Sequence, residues 1–344
     1  MLKEFVMKKS LAIVLSAAVV LAVLSGCAKK RESATGDLPK KVTIGAQISA
    51  IPSAIAIAEG WLPEAMGVEV DVVYFDAGRD IITAMAAGSI DFGMLGTPPA
   101  ALAVANGIPC EIVYIHEIIG EIESLIVRGN LGITDAQGLI GRKIATTFSS
   151  TCHYGLMNYL KLNNVNPSDI DIIDMRAGEI TAAFIRGDID GAFTWDPHVT
   201  TMKKNGGVML TSSRELADRG YAVMDVEIVR NEFAEKYPDV VSAYIRAMDR
   251  AVALYRTDPK AAGAAMARLT GMTAEECLEI AAGSVWLTVE EQRSMRWAGS
   301  SALATIMYNT AQFLYEQGSI SDEPSIDLFQ QAVTNRYLVA WEEK

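Results

Sequence analysis

The sequence predicts an α/β protein with two lobes, and a pseudo-repeat of about 100 residues is the main reason. Alternating apolar runs at 41–47 and 142–148 each precede a helical pattern, a second β-branched run and an Ala-Gly pair. In each copy a further helical segment then ends on a glycine, Gly88 or Gly187. This order of strands and helices predicts two largely parallel sheets, one in each lobe.

The elements follow in the same order in both copies. The first copy has strand, helix, strand, helix and strand patterns at 41–47, 52–66, 68–75, 80–88 and just after 89–93. The second copy has them at 142–148, 152–162, 170–175, 179–187 and just after 188–191. Any chain of alternating strands and helices shows some internal similarity. Here, however, the strand patterns, the Ala-Gly pairs and the glycines that end the helices all recur in the same order about 100 residues later.

Two similar β-branched segments, 124–128 and 227–230, follow the two copies. We interpret them as strands that cross between the lobes and form a hinge. This interpretation gives lobe 1 at 42–127 and 229–344, and lobe 2 at 128–228. The C-terminal part alternates Ala-rich helical segments with Pro and Gly breaks, and we expect it to pack on lobe 1.

The N-terminus predicts export from the cytoplasm. Three lysines precede an apolar run at 11–24, which is too short to cross about 30 Å of hydrocarbon and is typical of a secretory signal. The following Leu-Ser-Gly-Cys resembles the bacterial lipobox, so we expect residues 1–26 to be a signal peptide and Cys27 to carry lipid. An ordinary signal peptide with an incidental cysteine is the alternative. The polar segment 27–41 reads as a flexible tether.

Composition and charge exclude several classes of function. The formal net charge is −12, and removal of residues 1–26, which carry three Lys and one Glu, would make it −14. This balance argues against a nucleic-acid partner. The remaining cysteines, Cys110, Cys152 and Cys277, are odd in number and widely spaced, so neither a disulfide framework nor a zinc site is predicted. We expect no metal and no cofactor.

Five stretches resemble the taurine-binding proteins of ABC importers, within the wider nitrate, sulfonate and taurine group. They are 146–154, 186–195, 225–237, 286–288 and 310–318. The similarity runs in register from about residue 42 to about residue 336. It implies a periplasmic-binding-protein fold of type II with a ligand cleft between the lobes. It also implies a binding protein that closes on its solute, a sulfonate, and delivers it to a permease and its ATPase. Together with the lipobox, this predicts an extracytoplasmic, lipid-anchored monomer whose membrane contact is through the lipid anchor only.

The stretch 145–155 crowds hydroxyl groups and an imidazole at a predicted helix start. A helix N-terminus has unpaired backbone N–H groups and attracts anions, so we interpret this stretch as a cup for a sulfonate. Its predicted ligand-binding residues are Ser149, Ser150, Thr151, His153 and Tyr154. A simple Ser or Thr cap for the following helix is the alternative.

Further ligand-binding residues are predicted where strands end, because ligands bind outside the carboxyl ends of strands in open α/β sheets. These residues are Gln47, Thr97, Trp195 and Asp196. The resemblance assigns Asp225 to the amine of the solute and matches Glu123 to a second family acid. Asp225 could instead bond only hinge backbone. Taurine-binding proteins commonly have Trp and Ala where this chain has Glu227 and Asp196, so two extra acids are expected at the cleft and the identity of the sulfonate stays open.

No catalytic residues are predicted. Cys152 and His153 are adjacent, so on a helix their side chains diverge by about 100° and cannot pair directly. Other hypotheses remain for the solute and the role. Trp195, Phe148 and Tyr154 could stack on a pyrimidine precursor of thiamine, nitrate is a further anion, and relatives of this fold include enzymes and receptors that signal.

Overall fold

The computed structural model describes residues 38–294 and 301–342. The predicted signal peptide at 1–26, Cys27 and most of the predicted tether lie outside the described residues.

Ten strands occur in the described part of the chain. They are β1 Lys41–Ala46, β2 Glu69–Tyr74, β3 Phe92–Gly96, β4 Cys110–Ile118, β5 Glu123–Arg128, β6 Lys143–Thr146, β7 Asp171–Asp174, β8 Gly191–Trp195, β9 Gly207–Ser212 and β10 Met224–Arg230. They form two five-stranded sheets with the orders β2-β1-β3-β10-β4 and β7-β6-β8-β5-β9.

Fifteen helices accompany these strands within the described residues. They are α1 Pro52–Ala58, α2 Trp61–Met66, α3 Gly78–Ala86, α4 Thr97–Ala105, α5 Thr151–Leu162, α6 Ala177–Arg186, α7 His198–Lys204, α8 Ser213–Asp218, α9 Asn231–Lys236, α10 Pro238–Thr257, α11 Pro259–Thr270, α12 Ala274–Ala282, α13 Val289–Arg293, α14 Ser301–Glu316 and α15 Ile326–Ala332. Short 3-10 turns lie at Gly129–Leu131, Ala136–Leu139 and Pro167–Asp169. None of the helices in the described ranges is long and apolar enough to cross a membrane.

The two sheets have the same topology. In the first sheet β1 pairs in parallel with β2 and β3, and in the second β6 pairs in parallel with β7 and β8. Each sheet also contains one antiparallel strand, which is the fourth of its five strands. In the first sheet β10 lies between β3 and β4, and in the second β5 lies between β8 and β9. The predicted pseudo-repeat and the two-lobed α/β class are therefore confirmed.

Both lobes are built in three layers, with helices on each face of the sheet. In the first lobe, Phe92 packs with Tyr244 of α10 on one face, while Leu95 packs with Met307 of α14 on the other. In the second lobe, Leu125 and Phe193 face α5, and Ile126 faces α6 and α7. Because both faces of each sheet are covered, its open edge at the strand ends is where polar groups can meet a solute.

The hinge differs from the prediction. β5 lies wholly in the second sheet and β10 wholly in the first, so neither strand crosses between lobes. The chain instead passes between the sheets at 119–122 and 219–223, whereas the predicted boundaries fall at the end of β5 and within β10. The β-branched runs of β5 and β10 are buried in their sheets, which explains the difference, since a buried strand is a poor place to bend. Each crossing contains a glycine, Gly120 or Gly220, and Gly220 adopts φ +94°.

Candidate functional site

A cleft lies between the strand ends of the two sheets. Its lining from the first lobe is Gln47, Ile48, Ser49, Ala77, Gly78, Met94, Gly96, Pro99, Glu117 and Asp225. From the crossing and the second lobe it is Ile122, Glu123, Ser150, Thr151, Trp195 and Asp196. The cavity measures about 60 Å³. A single water needs about 10 to 15 Å³ on this scale, so the space suits a solute of only a few heavy atoms.

Carboxyl groups dominate the polar lining of this cleft. Glu117 and Glu123 are 1% and 4% exposed, and Asp225 lies opposite Glu117 in the antiparallel pairing of β10 with β4. Asp196 adds a fourth acid at the end of β8, where its Oδ1 accepts from the Thr200 amide at 2.9 Å. No Lys, Arg or His is found among the described residues that line the cleft. The site therefore offers acceptors to a cation and no basic side chain to an anion.

Glu123 is held by two hydroxyl groups. Thr151 Oγ1 donates to Glu123 Oε1, and Ser213 Oγ donates to Oε2 at 3.2 Å. Burial raises the pKa of Glu123 to about 8, and the charge of Asp225 acts in the same direction. At neutral pH this group thus carries a proton in much of the ligand-free protein.

Glu117 and Asp225 also favour the protonated form. Burial is the main cause that raises the pKa of each, and the charge of Asp225 raises the pKa of Glu117 further. A hydrogen bond with Glu117, and then the charge of His116, lower the pKa of Asp225 to a smaller extent. Of this pair, Asp225 is the one we expect to ionise first. A cation in the cleft would stabilise the ionised form of both.

The start of α5 supplies the complementary electrostatics. Ser150 caps the helix, because its Oγ accepts from the His153 amide at 3.2 Å and donates to the Thr147 carbonyl at 2.6 Å. The hydroxyls of Ser150 and Thr151 are therefore already engaged, so they are not the free donors predicted from the sequence. The amide N–H groups of Thr151 and Cys152 have no acceptor among the described residues. These backbone donors and the helix dipole are what an anion would meet.

A second helix start faces the first from the other lobe. Gly78 begins α3 at the end of β2, and Ala77 and Gly78 both line the cleft. A Cβ at Gly78 would lie 2.7 Å from the Pro99 side chain, so glycine is required for the close packing of this turn. With Gln47 and Ser49 beside it, the cleft has donors for an anion from both lobes.

Ion pairs join the two lobes at the mouth of the cleft. Arg176 contacts Asp76 at 3.1 Å and Asp80 at 3.2 Å, and Arg79 contacts Asp174 at 3.1 Å. Positions 76 and 176 are equivalent in the pseudo-repeat, where each precedes an Ala-Gly pair. Opposite charges at equivalent positions therefore meet across the cleft. The conformation described is one in which the lobes contact each other.

The structure brings together seven of the predicted ligand-binding residues, and five lie elsewhere. The seven at the cleft are Gln47, Glu123, Ser150, Thr151, Trp195, Asp196 and Asp225. The five outside its lining are Thr97, Ser149, His153, Tyr154 and Glu227. Thr97 is fully buried, and its Oγ1 accepts from the Met224 amide at 3.5 Å.

His153 and Tyr154 point away from the cleft. His153 stacks on Phe148 with ring centroids 4.6 Å apart, and both His153 and Tyr154 contact Phe313 of α14 edge-on. The Ser149 amide donates to His153 Nδ1 at 3.4 Å, so this residue too serves the aromatic contact. On α5 only the residues at the very start can face the cleft, because each following residue turns by about 100°.

Glu227 is part of a buried cluster. Its Oε2 lies 2.7 Å from His116 Nε2 and 2.5 Å from the Tyr244 hydroxyl, and all three side chains are inaccessible or nearly so. Asp225 and Glu227 are two residues apart on β10. That step moves Glu227 about 7 Å from the strand end into the lobe, which is why it does not border the cleft.

The sequence reasoning missed Glu117. It is the last polar residue of β4, in a run where only His116 and Glu117 interrupt apolar residues from 112 to 119. Two adjacent polar residues near the carboxyl end of an otherwise apolar strand were the signal that could have identified it. The apolar lining residues Met94 and Ile122 were also missed.

Other candidate chemistry has little support in the described residues. They contain no group of three or more His, Cys, Asp or Glu side chains arranged to hold a metal ion. Cys110, Cys152 and Cys277 are buried, unpaired cysteines, and burial raises the pKa of the Cys152 thiol well above its ordinary value. Of the three aromatics proposed for stacking, only Trp195 lines the cleft.

Fold and cleft together define a two-lobed α/β protein of the periplasmic-binding type. Residues 47–262 match the NMT1/THI5-like family. The chain is 34% identical over 304 residues to the taurine-binding periplasmic protein of Escherichia coli K12, covering 86% of this chain and 92% of that protein. This chain belongs to the NMT1/THI5-like family, and the resemblance seen in its sequence is confirmed.

Two further comparisons agree with this assignment. The chain is 29% identical over 252 residues to a putative aliphatic sulfonates-binding protein of Bacillus subtilis 168, covering 72% of this chain and 74% of that protein. The crystal structure of the periplasmic aliphatic sulphonate-binding protein of E. coli superposes with a TM-score of 0.71 at 22% identity, covering 88% of this chain and all of that one. At this identity the superposition shows the fold.

Proposed function

We propose that this protein is the solute-binding component of an ABC importer and that its solute is a small amino-sulfonate such as taurine. The observation that carries this proposal is the polarity of the cleft. Four carboxyl groups gather in a site whose anion donors are backbone N–H groups at two helix starts. A zwitterion with an ammonium at one end and an oxyanion at the other satisfies both sets.

The relatives support the same class of solute. Two of them are named as a taurine-binding and an aliphatic sulfonates-binding protein, and both match this chain over most of its length. Binding rather than catalysis is the role they support. A plain alkanesulfonate would leave the buried carboxyls without a cation, so the acids favour a solute with an amine.

Calorimetry with taurine, ethanesulfonate and β-alanine tests this proposal. Taurine should bind at least tenfold more tightly than β-alanine, because planar carboxylate leaves some donors of the anion site unpaired, at about 1 to 3 kcal/mol for each. Asp225→Asn should weaken taurine about 10- to 150-fold and change ethanesulfonate far less, because a charged hydrogen bond contributes roughly 1.5 to 3 kcal/mol. The control is Asp218→Asn, an exposed Asp at the end of α8. Equal affinity for taurine and ethanesulfonate in the wild type would contradict an amino-sulfonate.

We also propose that the protein is exported and held at the membrane by lipid on Cys27, as a monomer that meets its permease and ATPase through ligand-dependent closure. The support is the lipobox-like Leu-Ser-Gly-Cys after the apolar run and the periplasmic location in the name of the E. coli relative. Cys27→Ala should release the protein from the membrane fraction. Retention of that variant with its signal peptide removed would refute lipid anchoring.

A further inference from the structure

Glu117 is buried in the cleft without a partner for one of its oxygens. Its side chain is 1% exposed, and Oε1 has no hydrogen-bond partner among the described residues. The residue lines the cavity at the end of β4, directly across from Asp225 on β10. An orphaned carboxyl oxygen at this depth is costly unless something else satisfies it.

A purely structural role does not account for Glu117. Its charged neighbours at the cleft are Asp225 and Glu123, and both are acids that raise its pKa. The adjacent imidazole of His116 has its Nε2 committed to Glu227 at 2.7 Å. Asp225 and Ser284 satisfy part of the Glu117 carboxyl, but Oε1 keeps no partner among the described residues in a side chain that lines the cleft, so a solute can supply it.

We propose that Glu117 is a specificity-determining residue that binds the cation of the solute together with Asp225. This inference rests on the proposed function and adds a requirement to it. Two carboxyls on neighbouring strands can be satisfied at once only by a cation with at least two N–H donors, such as a primary ammonium. A quaternary ammonium has the same charge but no N–H, so it leaves both acceptors unpaired.

The same pair links binding to protons. Because burial and the charge of Asp225 raise the pKa of Glu117, the ligand-free pair retains a proton that an ammonium would displace to solvent. The groups that face Glu117 are Asp225 on β10, Glu123 on β5 and Ser284 after α12, and His116 on β4 acts on Asp225. Taurine binding should therefore release protons, and affinity should rise with pH while the amine stays charged.

The test is calorimetry on the whole exported chain with taurine, N,N,N-trimethyltaurine and ethanesulfonate. Wild type should bind taurine at least tenfold more tightly than the trimethyl analogue. Glu117→Gln keeps the side-chain size and removes the charge, so it should weaken taurine tenfold or more and leave ethanesulfonate within about threefold. The control Glu323→Gln replaces an exposed acid outside the lining of the cleft and should change neither ligand.

Two further measurements distinguish a role of Glu117 in binding from a role in stabilising the fold. Without ligand, Glu117→Gln should melt at or above the wild-type temperature, because it removes an uncompensated buried acid. Titrations in phosphate and in Tris should show proton release on taurine binding in wild type and a smaller release in the variant. A lower melting temperature with equal losses for both sulfonates, or an unchanged taurine affinity, would overturn the role of Glu117 alone. Wild type that binds no sulfonate would overturn the proposed function and this inference with it.

Discussion

Glu227 provides a sharp test of where the cleft ends. The sequence placed this acid at the ligand, whereas the structure places it in a buried cluster with His116 and Tyr244. Both neighbours donate to Oε2, and the Glu227 side chain has no exposed area. Replacing Glu227 should therefore change the stability of the fold far more than the affinity for solute.

The size of the effect follows from these contacts. Glu227→Ala leaves two buried donors without an acceptor, at about 1 to 3 kcal/mol each. Glu227→Gln keeps one neutral acceptor in the same volume and should cost roughly 1 to 3 kcal/mol. Tyr244→Phe removes a single donor but keeps the ring that stacks on Phe92 at 4.8 Å, so it should cost least.

Urea unfolding of the ligand-free protein measures these differences as shifts of the midpoint at an unchanged slope. Calorimetry on the same preparations should give taurine affinities within about threefold of wild type for all three variants. The opposite pattern would refute the reasoning. If Glu227→Gln left the midpoint unchanged but weakened taurine tenfold, Glu227 would contact the solute and the cleft would extend to the Glu227 cluster.

Three other predictions concern the cleft and its surroundings. Because the pKa of Glu123 is raised from 4.5 to about 8 in the folded protein, stability should fall as pH rises through that window, and Glu123→Gln should flatten the slope in urea titrations at pH 5 and pH 8. The pKa of His153 is lowered by burial to about 4, so stability should fall as pH decreases from 6.5 toward 4, and His153→Phe should reduce this acid-side loss. A Cβ at Gly96 would lie 2.7 Å from the Thr151 methyl of the other lobe, so Gly96→Ala should hinder closure and weaken taurine about tenfold or more, whereas Gly178→Ala, with no atom within 4 Å of the new Cβ, should not. Unchanged affinity for Gly96→Ala would mean that the lobes have room to shift there.

The architecture was largely accessible from the sequence because its evidence is local. Strand and helix patterns, glycine ends and their recurrence at one offset are all read within short windows. Local patterns do not determine which of the two sheets each antiparallel strand joins. β5 follows β4 in the chain but pairs with β8 and β9, and this choice depends on contacts between distant segments. The sequence patterns of 124–128 and 227–230 contain no mark of it.

The site was predictable only as far as the rule on strand ends reaches. That rule located Gln47, Trp195 and Asp196, which all line the cleft, whereas Asp225 came from the family resemblance. It failed for the direction of side chains, since His153 and Tyr154 start the same helix as Thr151 yet contact Phe313. It also failed for Glu117, because the rule was applied to the loops that follow the strands, and Glu117 is still within β4.

The antiparallel strands explain why acids gather at this cleft. In a sheet of parallel strands, an antiparallel strand begins at the edge where the others end, so its first residues lie at the ligand edge. β5 begins at Glu123, and β10 carries Asp225 as its second residue. Both acids thus follow directly after the two crossings, at equivalent positions of the two lobes. Glu123 pairs with Trp195 at the end of β8, and Asp225 pairs with Gly96 at the end of β3.

This placement couples the chemistry of the cleft to the movement of the lobes. The residues that bend on opening lie at 119–122 and 219–223, within a few positions of Glu123 and Asp225. Rotation about the crossings moves the sheet that carries Glu123 relative to the sheet that carries Asp225. The charge of Asp225 raises the pKa of Glu123 across the cleft, so the ligand-free site keeps a proton in place of a second charge. A cation held between the lobes stabilises the ionised form of both acids, so the solute that satisfies the acids is also the solute that stabilises the closed protein.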